Sequence, residues 1–420
     1  MKTSIVRRVG RLLNMDFDYV AKGGAWLSID QAINMATSLA TTLALTNWMA
    51  KSDYGAYSYV LSTALLVLPL TLPGISNAMV RSIARGHEGV WRDALRRRLA
   101  GGFAASLTLA GAAIWFHIDG RADVAAATMA ACVLYPFAFA ADDYKTYLHG
   151  RREFARYARY NSAVNVATAC AILVAGAARW PLPAIIAANL GVRGVGNLIA
   201  YAMLARTLVN REGDPEFSRF GWNLSLVAAV NSVSHYIDRF LVGTFYPLET
   251  MASYALAANI TEPIHVLSVF MNRLAWPKAV RMDAREAAAK FSGKFPILLA
   301  VIALMFVGLA LVFPMVISLL FPKYVDSISL VIWMVASALA GLVVTYLETY
   351  YISQDHLQRV FYWASTIRPI AVILLMGPFM LMCGAMGAVY ARLAVRVVAS
   401  AVLFARLIRE RRRLDGGATP

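Results

Sequence analysis

The chain has 420 residues, of which 59% are hydrophobic and only 15% are charged, and its mean hydropathy is +0.58. Soluble domains average about 45–50% apolar and about 25% charged residues, so this composition excludes an ordinary water-soluble protein. The formal net charge is +16, from 40 Lys and Arg against 24 Asp and Glu. The positions of these cations distinguish a membrane protein with basic loops from a protein that binds nucleic acid.

The apolar segments predict an all-α polytopic membrane protein. A transmembrane helix needs about 20 mostly apolar residues, and twelve segments meet this requirement. They lie at about 25–45, 54–80, 99–117, 122–149, 158–178, 182–205, 220–244, 251–273, 293–313, 326–352, 360–379 and 385–405.

The domain organisation follows from these spans. Segment 1–22 has apolar residues at helical spacing with arginines between them. This pattern predicts either an amphipathic basic helix on the inner leaflet or a solvated basic tail. The rest divides into a six-helix lobe over 23–206, a cytoplasmic linker over 207–219, a second six-helix lobe over 220–405 and a basic cytoplasmic tail over 406–420.

The distribution of cations predicts the topology, because Lys and Arg are retained on the cytoplasmic side of short loops. With the N-terminus inside, thirty of the 40 cations fall in predicted cytoplasmic segments, including Arg81 and Arg98 in the loop after the second span, and four fall outside. The remaining six lie within spans: Lys145, Arg193, Arg239, Arg368, Arg392 and Arg396. Both termini are therefore predicted to be cytoplasmic, and the charge is explained without nucleic acid as a partner.

The two halves of the chain form an internal repeat. A shift of about 196–204 residues aligns Trp26 with Trp222 and Arg193 with Arg396. Each half holds six spans, an even number, so the halves are predicted to share one orientation and to be related by a pseudo-two-fold axis along the membrane normal. Two such six-helix bundles are typical of an alternating-access transporter.

Two segments at corresponding positions of the repeat carry a family resemblance. They are YIDRFLVGTFYPLETMASYALAANI at 236–260 and LATTLALTNWMAKSDYGAYSYVLS at 39–62. They resemble the polysaccharide-transport (Wzx-type) flippases of the multidrug/oligosaccharidyl-lipid/polysaccharide exporter superfamily, and the resemblance extends over essentially the whole chain in length, span count and repeat. It implies a V-shaped pair of six-helix lobes in the bacterial inner membrane, with spans 1, 2, 7 and 8 lining a central cavity.

The same resemblance implies a function. The expected substrate is a polyprenyl-pyrophosphate-linked oligosaccharide, such as an O-antigen, capsule or exopolysaccharide repeat unit, which is moved from the inner to the outer leaflet. H+ or Na+ is a candidate coupling ion. A polysaccharide polymerase and a chain-length regulator are candidate partners.

Ionisable groups inside spans are the candidate functional residues, because each costs about 2.5 kcal/mol or more in the membrane. At a rise of 1.5 Å per residue, His235, Glu262 and His265 fall at similar depth near the midplane. This predicts a titratable cluster that either binds a coupling ion or a sugar, or holds two helices together. Asp238 and Arg239, near the end of predicted span 7, are either further cavity residues or a local structural pair, and the sequence favours the structural pair. The other polar cavity candidates are Asp30, Asn34 and Asn231.

Arginines supply the candidate anion sites. Arg392 and Arg396 are four residues apart and share one helical face, and with Arg193 they form secondary cationic stripes that suit either a pyrophosphate or a structural role. Arg81 and Arg273, at the cytoplasmic ends of spans 2 and 8, mark topology and are hypothesised to attract the substrate's pyrophosphate. Asp142 and Lys145 are expected to neutralise one another.

Prolines are the candidate hinges. Pro69 and Pro73 are predicted to interrupt span 2, and Pro263 is predicted to interrupt span 8. A proline removes one helical hydrogen bond and permits a kink, which is either a moving hinge or a static bend.

The sequence offers little for an enzyme. It contains no HExxH, GxSxG or Walker A pattern, and no cofactor or metal site is predicted. The principal alternative is an ion-coupled multidrug or metabolite exporter of the same superfamily, with Asp30 and Glu262 as acidic groups for cationic drugs. A membrane-embedded polymerase or ligase is a weaker alternative, because no predicted outside loop exceeds about a dozen residues.

Overall fold

The computed structural model of the protein describes residues 17–208, 210 and 212–415, without the side chains of residues 17–22, 227, 269, 270, 272–274, 277 and 278. Most of the predicted N-terminal amphipathic segment lies outside the described residues, as do the last five residues of the predicted basic tail.

The described residues form fourteen α-helices and no strand. In chain order they are α1 (Phe17–Trp48), α2 (Lys51–Leu66), α3 (Pro73–Ala84), α4 (Val90–Ile118), α5 (Ala122–Tyr135), α6 (Tyr144–Gly150), α7 (Phe154–Ala177), α8 (Leu182–Ala205), α9 (Phe217–Phe245), α10 (Leu248–Ala279), α11 (Ala284–Leu320), α12 (Ile328–Ser353), α13 (Gln358–Cys383) and α14 (Met386–Asp415). Each predicted span falls on one of these helices or on two consecutive ones. The predicted all-α, twelve-span fold is confirmed.

Hydropathy separates the helices into two groups. Among the described residues, eight helical segments are long and apolar enough to cross a membrane, and a ninth is formed if the bent pair of α2 and α3 counts as one span. Three further long helices, α1, α9 and α10, fall outside this group. They correspond to predicted spans 1, 7 and 8, which carry most of the candidate polar residues. Such helices are poor lipid-facing surfaces, because polar groups in hydrocarbon need a protein or water partner.

The chain separates into two compact units. The first comprises residues up to Met49 together with Thr63–Ser232, and the second comprises Ala50–Ser62 together with the residues from Val233 onward. The lobe boundaries drawn from the sequence repeat, and the pseudo-two-fold axis, stay predictions.

An aromatic cluster forms part of the core of the first unit. Trp91 of α4 is fully buried and stacks on Tyr147 of α6 with 4.5 Å between ring centroids. The ring of Tyr201 on α8 also contacts Trp91, with the same distance of 4.5 Å between ring centroids. Burying such large rings stabilises the packing of three helices at one point.

The same unit buries a charged cluster that the sequence did not predict. The Arg98 side chain is only 6% exposed, and its Nη1 donates to Oδ1 of Asp142 at 2.7 Å and to Oδ1 of Asp143. Its Nη2 donates to the carbonyl of Phe139 at 2.8 Å. Nζ of Lys145 lies 3.6 Å from Asp142, which confirms the predicted pair. The cluster therefore holds two carboxylates against two cations.

The prediction that Arg98 lies in a loop was wrong, whereas its position on the cytoplasmic side stays a prediction. Helix α4 already begins at Val90, so Arg98 lies more than two turns inside it. The run Arg96–Arg98 has the appearance of a single topology signal. On a helix, however, successive residues point about 100° apart, and the last arginine of the run faces the buried carboxylates.

A π-helical turn at Pro136–Ala140 shapes this region. Turns of this type leave carbonyl groups without their usual α-helical partners, and here side chains supply them. Nδ2 of Asn197 on α8 donates to the carbonyls of Ala138 at 3.0 Å and Phe137 at 3.2 Å. The turn thus joins α5 to α6, and Asn197 supplies hydrogen bonds to two of its backbone carbonyl groups.

The predicted interruption of span 2 is confirmed, and that of span 8 is wrong. Helices α2 and α3 are bent by 42° around a short 3₁₀ turn, Leu68–Thr71, with Leu72 at φ 54° ahead of Pro73. Helix α10 instead continues through Pro263 as one helix. A single proline removes only one backbone donor, and a packed helix can absorb that loss. Motion at Pro69, Pro73 or Pro263 stays a prediction.

In the second unit, the first part of α2 packs tightly. Nζ of Lys51 lies 2.7 Å from the carboxylate of Asp326, and the hydroxyls of Tyr59 and Thr244 are 2.8 Å apart. A Cβ on Gly55 would stand 1.9 Å from the carbonyl oxygen of Leu248. Only glycine permits this close approach of two backbones.

We predict that Arg98→Gln destabilises the protein by about 3–5 kcal/mol, because it leaves the buried carboxylate of Asp143 without its cation. Arg97→Gln is the matched control, since Arg97 forms only a surface ion pair with Asp93 at 3.0 Å and such pairs contribute about 1 kcal/mol or less. The measurement is thermal unfolding of the detergent-purified protein. Equal midpoints for the two variants would contradict the prediction, and Asp143→Asn added to Arg98→Gln should restore part of the loss.

Candidate functional site

A polar cavity of about 40 Å³ lies within the second unit. Helices α9, α10, α12 and α14 supply its walls. Its charged and titratable lining residues are His235, Asp238, Arg239, Glu262, His265, Arg392 and Arg396. A volume of this size holds a few water molecules. The cavity can thus receive a charged group of a substrate, but not a whole glycan.

Helical spacing explains why these residues meet. His235, Asp238 and Arg239 are three and four residues apart on α9, and Glu262 and His265 are three apart on α10. Residues at these spacings share a helix face. The predicted convergence of His235, Glu262 and His265 is confirmed as a placement, and Arg392 and Arg396 join the same cavity.

Asp238 is held in a fixed frame. Its carboxylate is 5% exposed and accepts a hydrogen bond from the Tyr254 hydroxyl at 2.7 Å. Nη2 of Arg392 lies 3.0 Å from Oδ1 of Asp238, an ion-pair contact without hydrogen-bond geometry. The same Nη2 donates to the carbonyls of Ser234 and His235, each at 2.8 Å. Asp238 and Arg392 therefore neutralise one another.

The structural role interpreted for Asp238 and Arg239 stays a prediction, but among the described residues the two side chains form no ion pair with each other. Adjacent residues on a helix point about 100° apart, so Asp238 turns toward α14 and α10 while Arg239 does not share its ion pair. Within the described residues, the side chain of Arg239 has no hydrogen bond or ion pair, although it lines the cavity.

Arg396 is partly engaged by a neutral partner. Its Nη1 donates to the carbonyl of Ser337 at 2.6 Å and to the Ser337 hydroxyl at 3.0 Å. A Cβ on Gly341 would lie 3.5 Å from the Arg396 guanidinium carbon, in ordinary contact. Because Ser337 is uncharged, the positive charge of Arg396 has no counter-ion in direct contact among the residues that the structure describes.

The cavity lining is positive in sum. Three arginines face two carboxylates, and Asp238 is already paired with Arg392. Glu262 is exposed and has no hydrogen bond or ion pair within the part of the chain that the structure describes. The groups open to a ligand are thus Arg239, part of Arg396, Glu262 and the two histidine rings.

The other predicted site residues are not brought into this cavity. Asp30 of α1 is buried in the first unit, where Nδ2 of Asn161 and the Ser162 hydroxyl donate to its carboxylate at 2.9 Å. Asn34 and Asn231 lie on exposed faces of α1 and α9 in the first unit.

Two further cationic candidates also lie elsewhere. The guanidinium carbon of Arg193 lies 5.9 Å from the ring centroid of Phe139, in the first unit. Arg273 is in α10, and its side chain lies outside those described.

Arg81 contacts the segment that follows α8. Its Nη2 lies 3.6 Å from the carboxylate of Glu216, and its guanidinium carbon lies 4.5 Å from the ring centroid of Phe220. Both ends of the ion pair are substantially exposed, with 37% and 75% of the side chains accessible. An ion pair this exposed is weak, so it leaves Arg81 available to another anion.

The segment around Glu216 is fastened to the end of α3. The Ser82 hydroxyl donates to Oδ2 of Asp214 at 2.6 Å, and this hydrogen bond lowers the pKa of Asp214. Nδ2 of Asn210 donates to the carbonyl of Gly86 at 2.6 Å. The position of Arg81 relative to Glu216 is therefore set by neighbouring contacts rather than by the ion pair itself.

Sequence reasoning missed Tyr254 and Ser337 as parts of the cavity. Tyr254 stood out only as part of the segment 236–260 that carries the family resemblance, and Ser337 is one of several hydroxyl-bearing residues in the predicted span 326–352. The position of Asp238 inside a predicted span was the one signal that a donor such as Tyr254 had to exist, because a carboxylate in the membrane needs a partner.

The comparisons with known proteins agree with this fold. The family described as polysaccharide biosynthesis protein matches residues 20–277. No curated protein sequence gives a significant match.

Solved structures show a similar fold. An inward-facing structure of a multidrug resistance MATE family transporter of the MOP superfamily has 13% identity and a TM-score of 0.70, with 93% of this chain and 99% of that chain covered. An outward-facing structure of such a transporter has 15% identity and a TM-score of 0.65, with 94% and 97% covered. The lipid II flippase MurJ in an inward closed conformation has 12% identity and a TM-score of 0.70, with 92% and 89% covered.

At these identities the structures establish the fold, while the family match covers more than half of the chain and confirms the resemblance seen in the sequence. This is a polytopic membrane protein of the flippase and transporter type, and the chain belongs to the polysaccharide biosynthesis protein family, that of the Wzx-type flippases.

Proposed function

We propose that the protein is a flippase for a polyprenyl-pyrophosphate-linked oligosaccharide, which it moves from the inner to the outer leaflet of the bacterial inner membrane by alternating access. Both termini lie in the cytoplasm in this proposal, and the protein is a transporter rather than an enzyme. The family membership supports a lipid-linked substrate in general. The repeat unit of an O-antigen, capsule or exopolysaccharide is the expected glycan.

The observation that carries the proposal is the excess of positive charge in the cavity of the second unit. A pyrophosphate brings negative charge, and a guanidinium group binds phosphate oxygens through two parallel N–H donors. Arg239 has no hydrogen-bond or ion-pair partner of its side chain within the described residues, and Arg396 has only Ser337. These two arginines are therefore the proposed anion-binding groups.

The remaining cavity groups have supporting roles in this proposal. Asp238, Tyr254 and Arg392 form the frame that holds α9, α10 and α14 together around the arginines. Glu262, His235 and His265 can exchange hydrogen bonds with sugar hydroxyls, or Glu262 can bind a coupling cation such as H+ or Na+. A polysaccharide polymerase and a chain-length regulator are the proposed partners that use the flipped substrate.

Arg81 has a proposed role on the cytoplasmic side. Its contact with Glu216 is exposed and long, at 3.6 Å, so a phosphate can replace the carboxylate without leaving a buried charge unpaired. Arg273 is proposed to act in the same way from the end of α10.

A second candidate function is an ion-coupled multidrug exporter. The observations that favour it are the fold shared with MATE transporters and the carboxylate of Glu262, which has no ion-pair partner among the described residues. A cationic drug, however, would have to enter a cavity in which arginines outnumber carboxylates, which opposes its binding. A membrane-embedded polymerase or ligase has no such specific support.

The decisive experiment is a deletion strain. We expect it to accumulate lipid-linked oligosaccharide on the cytoplasmic side of the membrane and to lose surface polysaccharide, because the substrate no longer reaches the outer leaflet. The measurement is the accessibility of the lipid-linked sugar to a membrane-impermeant lectin or glycosidase in oriented vesicles. A deletion strain that is sensitive to drugs but has normal surface polysaccharide would contradict the flippase function and support the multidrug exporter.

We predict that Arg239→Gln lowers the flipping rate of a labelled lipid-linked oligosaccharide in proteoliposomes by about tenfold to a hundredfold. Hydrogen bonds to charged groups contribute about 1.5–3 kcal/mol, which corresponds to this range. Arg359→Gln is the control, because Arg359 is exposed in the same unit and lines no part of the cavity. A rate unchanged in Arg239→Gln, at equal protein in the membrane, rules out Arg239 as the anion-binding group.

We predict opposite behaviour for the two members of the exposed pair. Arg81→Gln should lower flipping several-fold, because it removes a cation that attracts pyrophosphate. Glu216→Gln should leave flipping unchanged or raise it slightly, because it frees Arg81 from its 3.6 Å contact. The measurement is the initial rate at low substrate concentration. Equal losses in both variants would instead assign the pair a purely structural role.

A further inference from the structure

An apolar groove of about 330 Å³ lies between α13 and α14, away from the polar cavity. Its long side chains are open to the surroundings, since Trp363 is 67% and Val398 is 61% exposed. The groove shares no lining residue with the cavity. Among its described lining residues, only Arg368 and Arg406 are charged.

The two charged residues of the groove differ in their pairing. Nη1 of Arg368 lies 2.6 Å from Oε1 of Glu348, so this arginine is neutralised within the protein. Arg406 has no hydrogen bond or ion pair in the part of the chain that the structure describes. One end of an otherwise apolar groove thus carries a positive charge without a counter-ion.

A basic pocket continues the groove at this end. The pocket also measures about 330 Å³, and Val360 and Arg406 line both spaces. Its further cations are Arg409, which has no ion-pair partner within the described residues, and Arg413. The only carboxylate of its described lining, Glu410, faces Arg413 at 3.9 Å and His356 at 3.5 Å.

The pattern along α14 shows the same change of character. Val395, Val398 and Val402 follow one another at three- and four-residue spacing and line the groove. The next positions on that face are Arg406, Arg409 and Arg413. An apolar helix face that becomes basic within one turn is typical of the boundary between hydrocarbon and lipid headgroups, on the side where Lys and Arg are retained.

We propose that the groove and the basic pocket together bind one anionic glycerophospholipid, with an acyl chain along the groove and the phosphate against Arg406 and Arg409. Charge complementarity selects this occupant, because the anionic lipids of the cytoplasmic leaflet are attracted by clustered arginines. The site is separate from the cavity of the proposed flippase and does not depend on that function. A bound lipid of this kind fixes α13 against α14 and stabilises the folded protein by mass action.

The headgroup test compares two lipids with identical acyl chains. Purified full-length protein in detergent is titrated with phosphatidylglycerol or phosphatidylcholine, and bound lipid is measured by native mass spectrometry. We expect about a tenfold preference for phosphatidylglycerol, which the double variant Arg406→Gln with Arg409→Gln should abolish, since each basic residue near a membrane surface favours an anionic lipid. Arg412→Gln should retain the preference, because Arg412 is exposed and lines neither space.

The second test narrows the groove in which the acyl chain is proposed to lie. Ala371→Phe should lower the binding of both lipids by about tenfold, because Ala371 lines the groove. Leu374→Phe is the control, since Leu374 is 69% exposed on the same helix and lines no part of it.

Two results would overturn the proposal. One is equal binding of the two lipids by the unaltered protein. The other comes from competition against bound, isotope-labelled phosphatidylglycerol. If polyprenyl phosphate displaces it at a lower concentration than unlabelled phosphatidylglycerol does, the occupant is a polyprenyl lipid.

Discussion

Each charge inside a membrane protein needs a partner or water, because moving an ion into a low-dielectric interior costs several kcal/mol. In the first unit this requirement places Arg98 between two carboxylates. In the second unit it places Asp238 beside Arg392 and Arg368 beside Glu348. Each pairing joins two different segments of the fold, and Asp238 and Arg392 are more than 150 positions apart in the sequence. The ion pairs therefore fix helix positions in a fold whose lipid-facing surfaces offer little directional preference of their own.

The same requirement identifies the groups left for function. A charged side chain that already has an ion-pair partner inside the protein gains little free energy from binding a ligand. A charged side chain without such a partner in a polar cavity gains much more. Asp238 and Arg392 belong to the first kind, and, as far as the described residues show, Arg239 and Glu262 belong to the second. Arg396 lies between them, because its partner Ser337 supplies hydrogen bonds but no charge. The cavity thus combines a rigid frame with side chains that can bind an anion.

Hydropathy and the depth of residues along each helix predicted the spans and the main members of the cavity. Few of the ion pairs between side chains could be predicted from the sequence. Apolar length located all twelve spans, and the rise per residue brought His235, Glu262 and His265 to one depth, as the cavity shows. The partner of Asp238 could not be found in this way, because Arg392 is more than 150 positions away. Arg98 was misplaced because a run of arginines has the same composition at a membrane surface and at the start of a buried helix. The continuity of α10 through Pro263 depends on packing that one sequence does not encode locally.

The aligned arginines of the repeat show how two halves of similar sequence come to differ. Arg193 lies over the ring of Phe139, whose carbonyl accepts from Arg98, in a unit where the buried Asp143 and the partly buried Asp142 supply two carboxylates. In the second unit the partly buried Glu348 is already paired with Arg368. Among the described residues, Arg396 therefore has only a neutral hydrogen-bond partner in its cavity, Ser337. The lining of the cavity in the second unit therefore has more arginines than carboxylates, although the aligned arginines Arg193 and Arg396 are present in both halves.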